Sequence, residues 1–185
     1  NTIPHPMIVK PACGGSSLGL HKVDSYTDLL DALEKVLSEH GSAITEEYIV
    51  GREATCGVID NFRGQKTYSL PVIEIIPPTG KLFDYDSKYN GESREICPGN
   101  FSETERREIE KVAKLIHDKL GLRHYSRSDF IVSPRRGIYF LEVNTLPGLT
   151  EESLLPKSLE AVGVKVKDFL HHLIDMAVHK TGLWV

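Results

Sequence analysis

The segment from Arg127 through Pro147 limits what this chain can fold into more than any other. It holds two β-rich runs, Arg127-Ser128-Asp129-Phe130-Ile131-Val132 and Ile138-Tyr139-Phe140-Leu141-Glu142-Val143-Asn144, around the turn Ser133-Pro134-Arg135-Arg136-Gly137. Short apolar-rich runs about a Pro/Gly turn predict a β-hairpin. Closing the loop between Ser133 and Ile138 sets Asp129 opposite Glu142 and Arg127 opposite Asn144. Alternation along a strand then projects all four side chains from one face. Like charges directly opposite each other destabilise a sheet, so the Asp–Glu pair needs a reason. A hard divalent cation held by carboxylate and amide oxygens supplies one, and Mg²⁺ in such sites completes its shell with substrate phosphates. Arg127 beside the pair suits phosphate, because its planar fork donates to two oxygens at once. Any one of these residues alone reads as solvated polar surface. The four in register, interleaved with Phe130, Val132, Phe140 and Val143, point to a metal–nucleotide site; a one-residue slip would dissolve it.

At 185 residues the chain suits one domain, or two small lobes sharing a cleft. A net charge of −4, without a basic stripe, gives no electrostatic footprint for nucleic acid. No apolar run approaches the roughly 18 residues that suggest a membrane span. No signal peptide is visible, and three scattered cysteines (Cys13, Cys56, Cys97) form no disulfide framework, so a reducing cytoplasm is the expected setting. Eight histidines show no metal-ligand spacing, and His171 and His172 are expected on a helix surface. The chain begins at Asn1 and enters a strand almost at once, which predicts a fragment of a longer protein.

A strand is expected over 7–10, followed by the small-residue loop Pro11-Ala12-Cys13-Gly14-Gly15-Ser16-Ser17-Leu18-Gly19. Ser25 is placed to cap a helix to about residue 40, with Leu29, Leu33, Val36 and Leu37 as its apolar stripe. Strands are expected over 43–50, 53–59 and 67–76, then a long polar loop over 83–101. Loops of that length are usually functional lids or disordered. Ser102 with Glu105 forms a capping box for a helix to about Leu120, whose apolar face is Ile109, Val112, Ala113, Ile116 and Leu120. Two helices, over 153–162 and 166–179, follow the hairpin. This order indicates an α+β protein.

The glycine loop can present N–H groups and serine hydroxyls to phosphates, though it lacks the ending of a P-loop and a glycine-rich turn is the commoner explanation. Lys10 before it is either a phosphate ligand or a strand-end lysine in water. The strand containing Glu46-Glu47-Tyr48-Ile49 can offer its backbone to an adenine ring, with Glu53 placed for ribose hydroxyls.

Together these pieces resemble the ATP-grasp superfamily and, within it, the D-alanine–D-alanine ligases. The matching residues are Val9-Lys10-Pro11 with Gly15-Ser16-Ser17-Leu18-Gly19, Glu46 to Ile49 with Glu53, Asp84-Tyr85 and Lys88-Tyr89. To these are added Arg127 with Asp129, Glu142-Val143-Asn144-Thr145-Leu146-Pro147-Gly148, and Ser153-Leu154. The resemblance covers Met7 to about Gly163; the family's N-terminal domain and the start of its ATP-grasp module have no counterpart. It implies an α+β ATP-grasp fold, with residues 1–50 as part of the first lobe and 51–185 as the C-terminal lobe, a mixed or antiparallel sheet flanked by helices.

By the same resemblance, Lys10 and Lys88 contact ATP phosphates, and Ser16 and Ser17 lie in the loop that closes over them. Glu46, Glu47 and Ile49 form the adenine strand, and Glu53 takes the ribose. Asp129, Glu142 and Asn144 become ligands of Mg²⁺, for which Mn²⁺ is an alternative. Arg127 and the Gly148 amide stabilise the tetrahedral oxyanion, with Ser16 and Tyr89 completing the catalytic set. Tyr89 sits on a lid over the second substrate, and Ser153 and Leu154 hold the acceptor carboxylate. Gly14 departs from members with a larger or acidic residue there. The implied reaction is phosphorylation of one D-alanine by ATP, then attack of a second D-alanine's amine on the acyl phosphate, for peptidoglycan precursor synthesis. A D-alanine–D-lactate-type ligase, and an ATP/Mg-binding fragment inactive without the N-terminal region, are the alternatives. The implied partners are small molecules, D-alanine and ATP, with neither nucleic acid nor membrane; a homodimer is a candidate assembly.

Overall fold

The computed structural model describes residues 3–13, 18–77 and 93–180. They fall into two compact units, one drawn from residues 1–50 and 76–94 and the other from 51–75 and 95–185. The first contains β1 (Met7–Pro11), β2 (His21–Val23), α1 (Tyr26–His40) and β3 (Ala43–Glu47). Its sheet is antiparallel in the order β2-β1-β3, with Met7 opposite both Val23 and Glu47. Ser25 caps α1 through a bond from the Asp28 N–H at 3.2 Å. Met7, Val9 and Val23 pack on Ala32 and Val36, with Leu29 and Leu33 alongside. Leu37, expected in that stripe, is 47% exposed. It stands 100° round the helix from Val36, and Ala32 takes the inward position instead. The strand expected to reach residue 50 ends at Glu47, after which the Tyr48 N–H donates to the Pro6 carbonyl.

The second unit is larger. It holds β4 (Arg52–Phe62), β5 (Gln65–Ser69), β6 (Ile73–Ile76), β7 (Arg94–Ile96), α2 (Glu103–Lys119), β8 (Tyr125–Ser133), β9 (Gly137–Asn144), α3 (Leu154–Ala161) and α4 (Val166–Lys180). The sheet runs β7-β6-β4-β8-β9, and β5 pairs with the far half of β4. One strand was expected over 67–76; two are present. Pro71, which has no N–H to donate, lies in the break between them. The described end of the loop expected over 83–101 contains the short strand β7.

Alternation in β4 and β8 gives this sheet two different faces. Ala54, Cys56, Val58, Phe130 and Val132 project toward Ile109 and Ala113 of α2. Burying a side chain such as Phe130 or Ile109 stabilises by about 1.5–3 kcal/mol. The capping box at Ser102 and Glu105 is complete in both directions. Leu120, expected on the buried face, is the C-cap and 59% exposed. The buried residue of that last turn is His117, whose Nδ1 lies 2.8 Å from the Ser126 hydroxyl. His172 also departs from expectation: its Nε2 is 2.8 Å from the Asp60 carbonyl and its ring packs edge-on against Phe62.

On the other face, Ile59, Leu70 and Tyr125 gather Leu155, Leu159 and Phe169 from α3 and α4. Gly57 makes that approach possible, since a Cβ there would lie 2.7 Å from Leu155 Cδ1. The helices cover one end of this face. The rest carries the polar hairpin residues.

Candidate functional site

The hairpin pairs Arg127 with Asn144 and Asp129 with Glu142. The turn does not close as expected. Ser133 faces Gly137, not Ile138, which alone would misplace Glu142 by one position. A bulge between Phe130 and Asp129 corrects this: Phe130 faces Phe140, Asp129 faces Glu142, and Leu141 is the extra residue. Phe140 therefore meets Phe130 on the α2 side at 5.9 Å between ring centroids. Glu142 joins Asp129 on the opposite face.

Asp129 is held firmly. Its Oδ1 accepts from the Thr55 hydroxyl at 2.5 Å and from Arg127 Nε at 3.0 Å, and its Oδ2 accepts from Arg127 Nη2 at 2.9 Å. The two side chains are only 16% and 21% exposed. Burial works against the Arg127 charge, but Asp129, with Glu142 and Glu95, outweighs it and drives the guanidinium pKa higher. Glu53 lies on the same face of β4 as Thr55, opposite Ile131 and Ile75.

The donor set fits a small hard cation. Asp129 and Glu142 offer carboxylate oxygens and Asn144 an amide oxygen, with one donor on Asp129 Oδ2 where Oδ1 has two. Among the described residues no cluster of three His, Cys, Asp or Glu side chains forms a metal site. Two carboxylates and an amide suit an ion that takes its remaining oxygens from phosphate and water.

Glu95, whose charge acts on Arg127, has its own partner. Lys157 Nζ bonds Glu95 at 2.7 Å and approaches Glu152 at 3.5 Å. Burial pulls the Lys157 pKa down, but these carboxylates hold it above its ordinary value. Ser153 is the N-cap of α3 by backbone geometry, yet its side chain makes no cap bond and shares a 2.8 Å bond with Thr150. A Cβ at Gly148 would come within 2.8 Å of Ser153 Oγ, so glycine lets the loop pass close to the helix start. The Gly148 and Ser153–Leu154 elements are thus neighbours.

In the first unit, Lys10 and Glu46 form an ion pair at 2.7 Å. Lys10 stands near the end of β1 and its side chain is 23% exposed. Glu46 and Glu47 are on β3, whereas Ile49 lies beyond its end. Ser16, Ser17, Lys88 and Tyr89 lie outside the described residues, as does Gly14. Thr55, Glu95 and Lys157 carry no signal in the sequence that marks them for the site. Thr55 follows Glu53 by two positions, so alternation alone puts it on Glu53's face, but its meeting with Asp129 depends on a pairing 74 residues apart.

Known proteins share this arrangement of elements. The family described as "D-ala D-ala ligase C-terminus" matches residues 1–175. The D-alanine–D-alanine ligase of Desulfotalea psychrophila is 38% identical over 179 residues, covering 95% of this chain and 55% of the relative. The solved VanG D-Ala:D-Ser ligase from Enterococcus faecalis superposes with a TM-score of 0.79 at 32% identity, over 92% of this chain and 49% of that one. A D-alanine–D-alanine ligase from Bacillus anthracis, solved in complex with ATP, gives 0.75 at 30% identity, over 94% and 54%. The chain spans about half the length of the relatives it matches. The fold is that of the ATP-grasp ligases, an α+β architecture. The chain belongs to the D-alanine–D-alanine ligase family, over the portion that forms its C-terminus.

Proposed function

We propose that this chain is the nucleotide- and metal-binding part of an ATP-dependent ligase that joins two D-alanines through an acyl phosphate. The observation that carries the reading is the face shared by Arg127, Asp129, Glu142 and Asn144. Family membership supports it. Asp129, Glu142 and Asn144 would hold Mg²⁺, with Mn²⁺ as a substitute, and the ion would supply positive charge for the phosphates. Lys10, Lys88, Ser16 and Ser17 contact the phosphates. Glu46, Glu47 and Ile49 take the adenine, and Glu53 the ribose.

Phosphoryl transfer asks for positioning and charge neutralisation more than covalent help. Arg127 keeps its charge at any working pH, and with the Gly148 N–H it faces the oxyanion formed when the amine attacks. The Ser153 hydroxyl makes no cap bond to the first turn of α3, and helix starts carry N–H groups without intrahelical partners. Ser153 and Leu154 there receive the acceptor carboxylate. Tyr89 shields the acyl phosphate from water.

The test is Mg²⁺-dependent ATP binding by calorimetry, then ADP release with and without D-alanine and mass spectrometry of the product. The chain alone is expected to bind Mg–ATP and to make little dipeptide. Fused to the N-terminal part of a relative, it is expected to make D-alanyl-D-alanine. Absence of Mg²⁺-dependent ATP binding overturns the reading. The likeness to a ligase named for D-serine supports a second acceptor class. Arms with D-serine and D-lactate in place of the second D-alanine decide between them.

A further inference from the structure

Thr55 has no part in the chemistry above, yet it makes the shortest contact to Asp129. Its side chain is buried at the centre of β4, directly opposite Asp129 on β8. A hydroxyl has one proton to give. Thr55 Oγ1 stands 2.5 Å from Asp129 Oδ1 and 3.2 Å from the Ser128 carbonyl, so the carboxylate receives the stronger bond. Each carboxylate oxygen has two lone pairs. On Oδ1 one meets Thr55 and the other meets Arg127 Nε. Oδ2 accepts only from Arg127 Nη2 among the described residues.

We propose that Thr55 is a specificity-determining residue: with Arg127 it fills Oδ1, leaves Asp129 a ligand through Oδ2 alone, and so favours Mg²⁺ over Ca²⁺. This rests on the reading of Asp129 as a ligand of the divalent ion given above. Mg²⁺ demands near-octahedral geometry, which single oxygens satisfy, whereas Ca²⁺ accepts six to eight ligands and readily takes both oxygens of one carboxylate. An Asp129 able to offer both oxygens would suit the larger ion. Thr55 removes that option by occupying one of them. The residue is rigid for the task, because a β-branched side chain has few χ1 choices and this one is enclosed within the sheet.

Thr55→Val keeps the shape and deletes the donor; Thr55→Ser keeps the donor. Each variant of the 185-residue chain is titrated with a non-hydrolysable ATP analogue in the presence of Mg²⁺ or of Ca²⁺, and the ratio of the two affinities is read. Loss of a hydrogen bond to a charged group is expected to lower the Mg²⁺ preference of Thr55→Val about tenfold. Thr55→Ser is expected to keep the wild-type ratio. A purely structural role would lower the melting temperature and leave the ratio alone. Should Thr55→Val fail to fold, Thr55→Ala reads the same ratio. A folded, hydroxyl-free variant with wild-type Mg²⁺ preference overturns the proposal while sparing the nucleotide-binding reading. A wild-type chain without any divalent-dependent binding overturns both.

Discussion

Phe140 and Glu142 lie two residues apart on β9 and yet face opposite sides of the sheet, because Leu141 is bulged out between them. In a regular strand they would share a face. Phe140 instead packs on Phe130 under α2, and Glu142 pairs with Asp129 in the site. A bulge inserts one residue, bends the strand and re-aims the side chains beyond it. Here it lets one strand serve the core at its start and the site at its end.

This arrangement fixes the order of two substitutions. Phe140→Ser is expected to cost about 1–2 kcal/mol, from the lost ring contact and apolar burial. Leu141→Ser is expected to stay within about 0.5 kcal/mol of wild type. Both side chains are similarly exposed, at 42% and 44%, so exposure does not decide the outcome. Urea unfolding of the two variants measures it. The reverse order would mean that the strand runs without the bulge and Leu141 faces the core.

The two site carboxylates should respond differently to neutralisation. Asp129→Asn removes the charge that Arg127 grips through two bonds, leaving a guanidinium with little solvent beside it. A loss of about 2–3 kcal/mol is expected. Glu142→Gln relieves like-charge repulsion with Asp129 across the strand pair and should change stability by no more than about 0.5 kcal/mol. Under the proposed function both variants weaken Mg²⁺-dependent ATP binding. Calorimetry together with denaturation separates the two effects, and equal destabilisation by both would contradict the role of the Arg127–Asp129 pair.

His117 is expected to matter for folding without touching the site. Its ring is 1% exposed, with Nδ1 on the Ser126 hydroxyl and Nε2 3.3 Å from Asp60 Oδ1, though not aligned as a hydrogen bond. His117→Leu strands the buried Ser126 hydroxyl and should cost about 2–3 kcal/mol. His117→Asn, whose amide can reach the position of Nδ1, should recover part of it. A melting temperature unchanged in His117→Leu would mean that this residue does not help hold α2 to the sheet.

The capping box makes a pH-dependent contribution. The Ser102 N–H bond to Glu105, opposed by some burial and helped by the Ser102 hydroxyl and Arg52, holds this carboxyl below its ordinary value of 4.5. A carboxyl depressed on folding stabilises fully above its unfolded pKa and loses that contribution as pH falls through its folded value. Glu105→Gln should therefore lower stability by about 1 kcal/mol at pH 7. The gap to wild type should close as pH falls below 4.5. Thermal melts at pH 7 and pH 3 test this; a constant gap would show that charge is not what Glu105 supplies.

Local chemistry made much of this protein legible in its sequence. Ser25 and the Ser102–Glu105 pair act within one helical turn, so the starts of α1 and α2 follow from residues three apart. The hairpin pairs neighbours in the chain, which brought Asp129 to Glu142 and Arg127 to Asn144 within reach of simple alternation. The turn closes one residue away from the Ser133–Ile138 closure that alternation predicts, and the bulge at Leu141 restores the pairing of Asp129 with Glu142. Nothing in a pattern of apolar and polar residues marks where an extra residue will be accommodated, since the bulge depends on which side chains the core of α2 accepts. The outward turn of Leu37 and Leu120 and the inward one of His172 originate in packing between distant elements. Thr55 shows the limit most plainly. Its type and its distance from Glu53 are ordinary, and it becomes part of the site only because β4 pairs with β8 across 74 residues of sequence. A sequence read locally names the groups that can hold a cation, while the tertiary sheet decides which neighbour holds those groups still, because contacts between strands are set by burial of whole faces and not by any short motif.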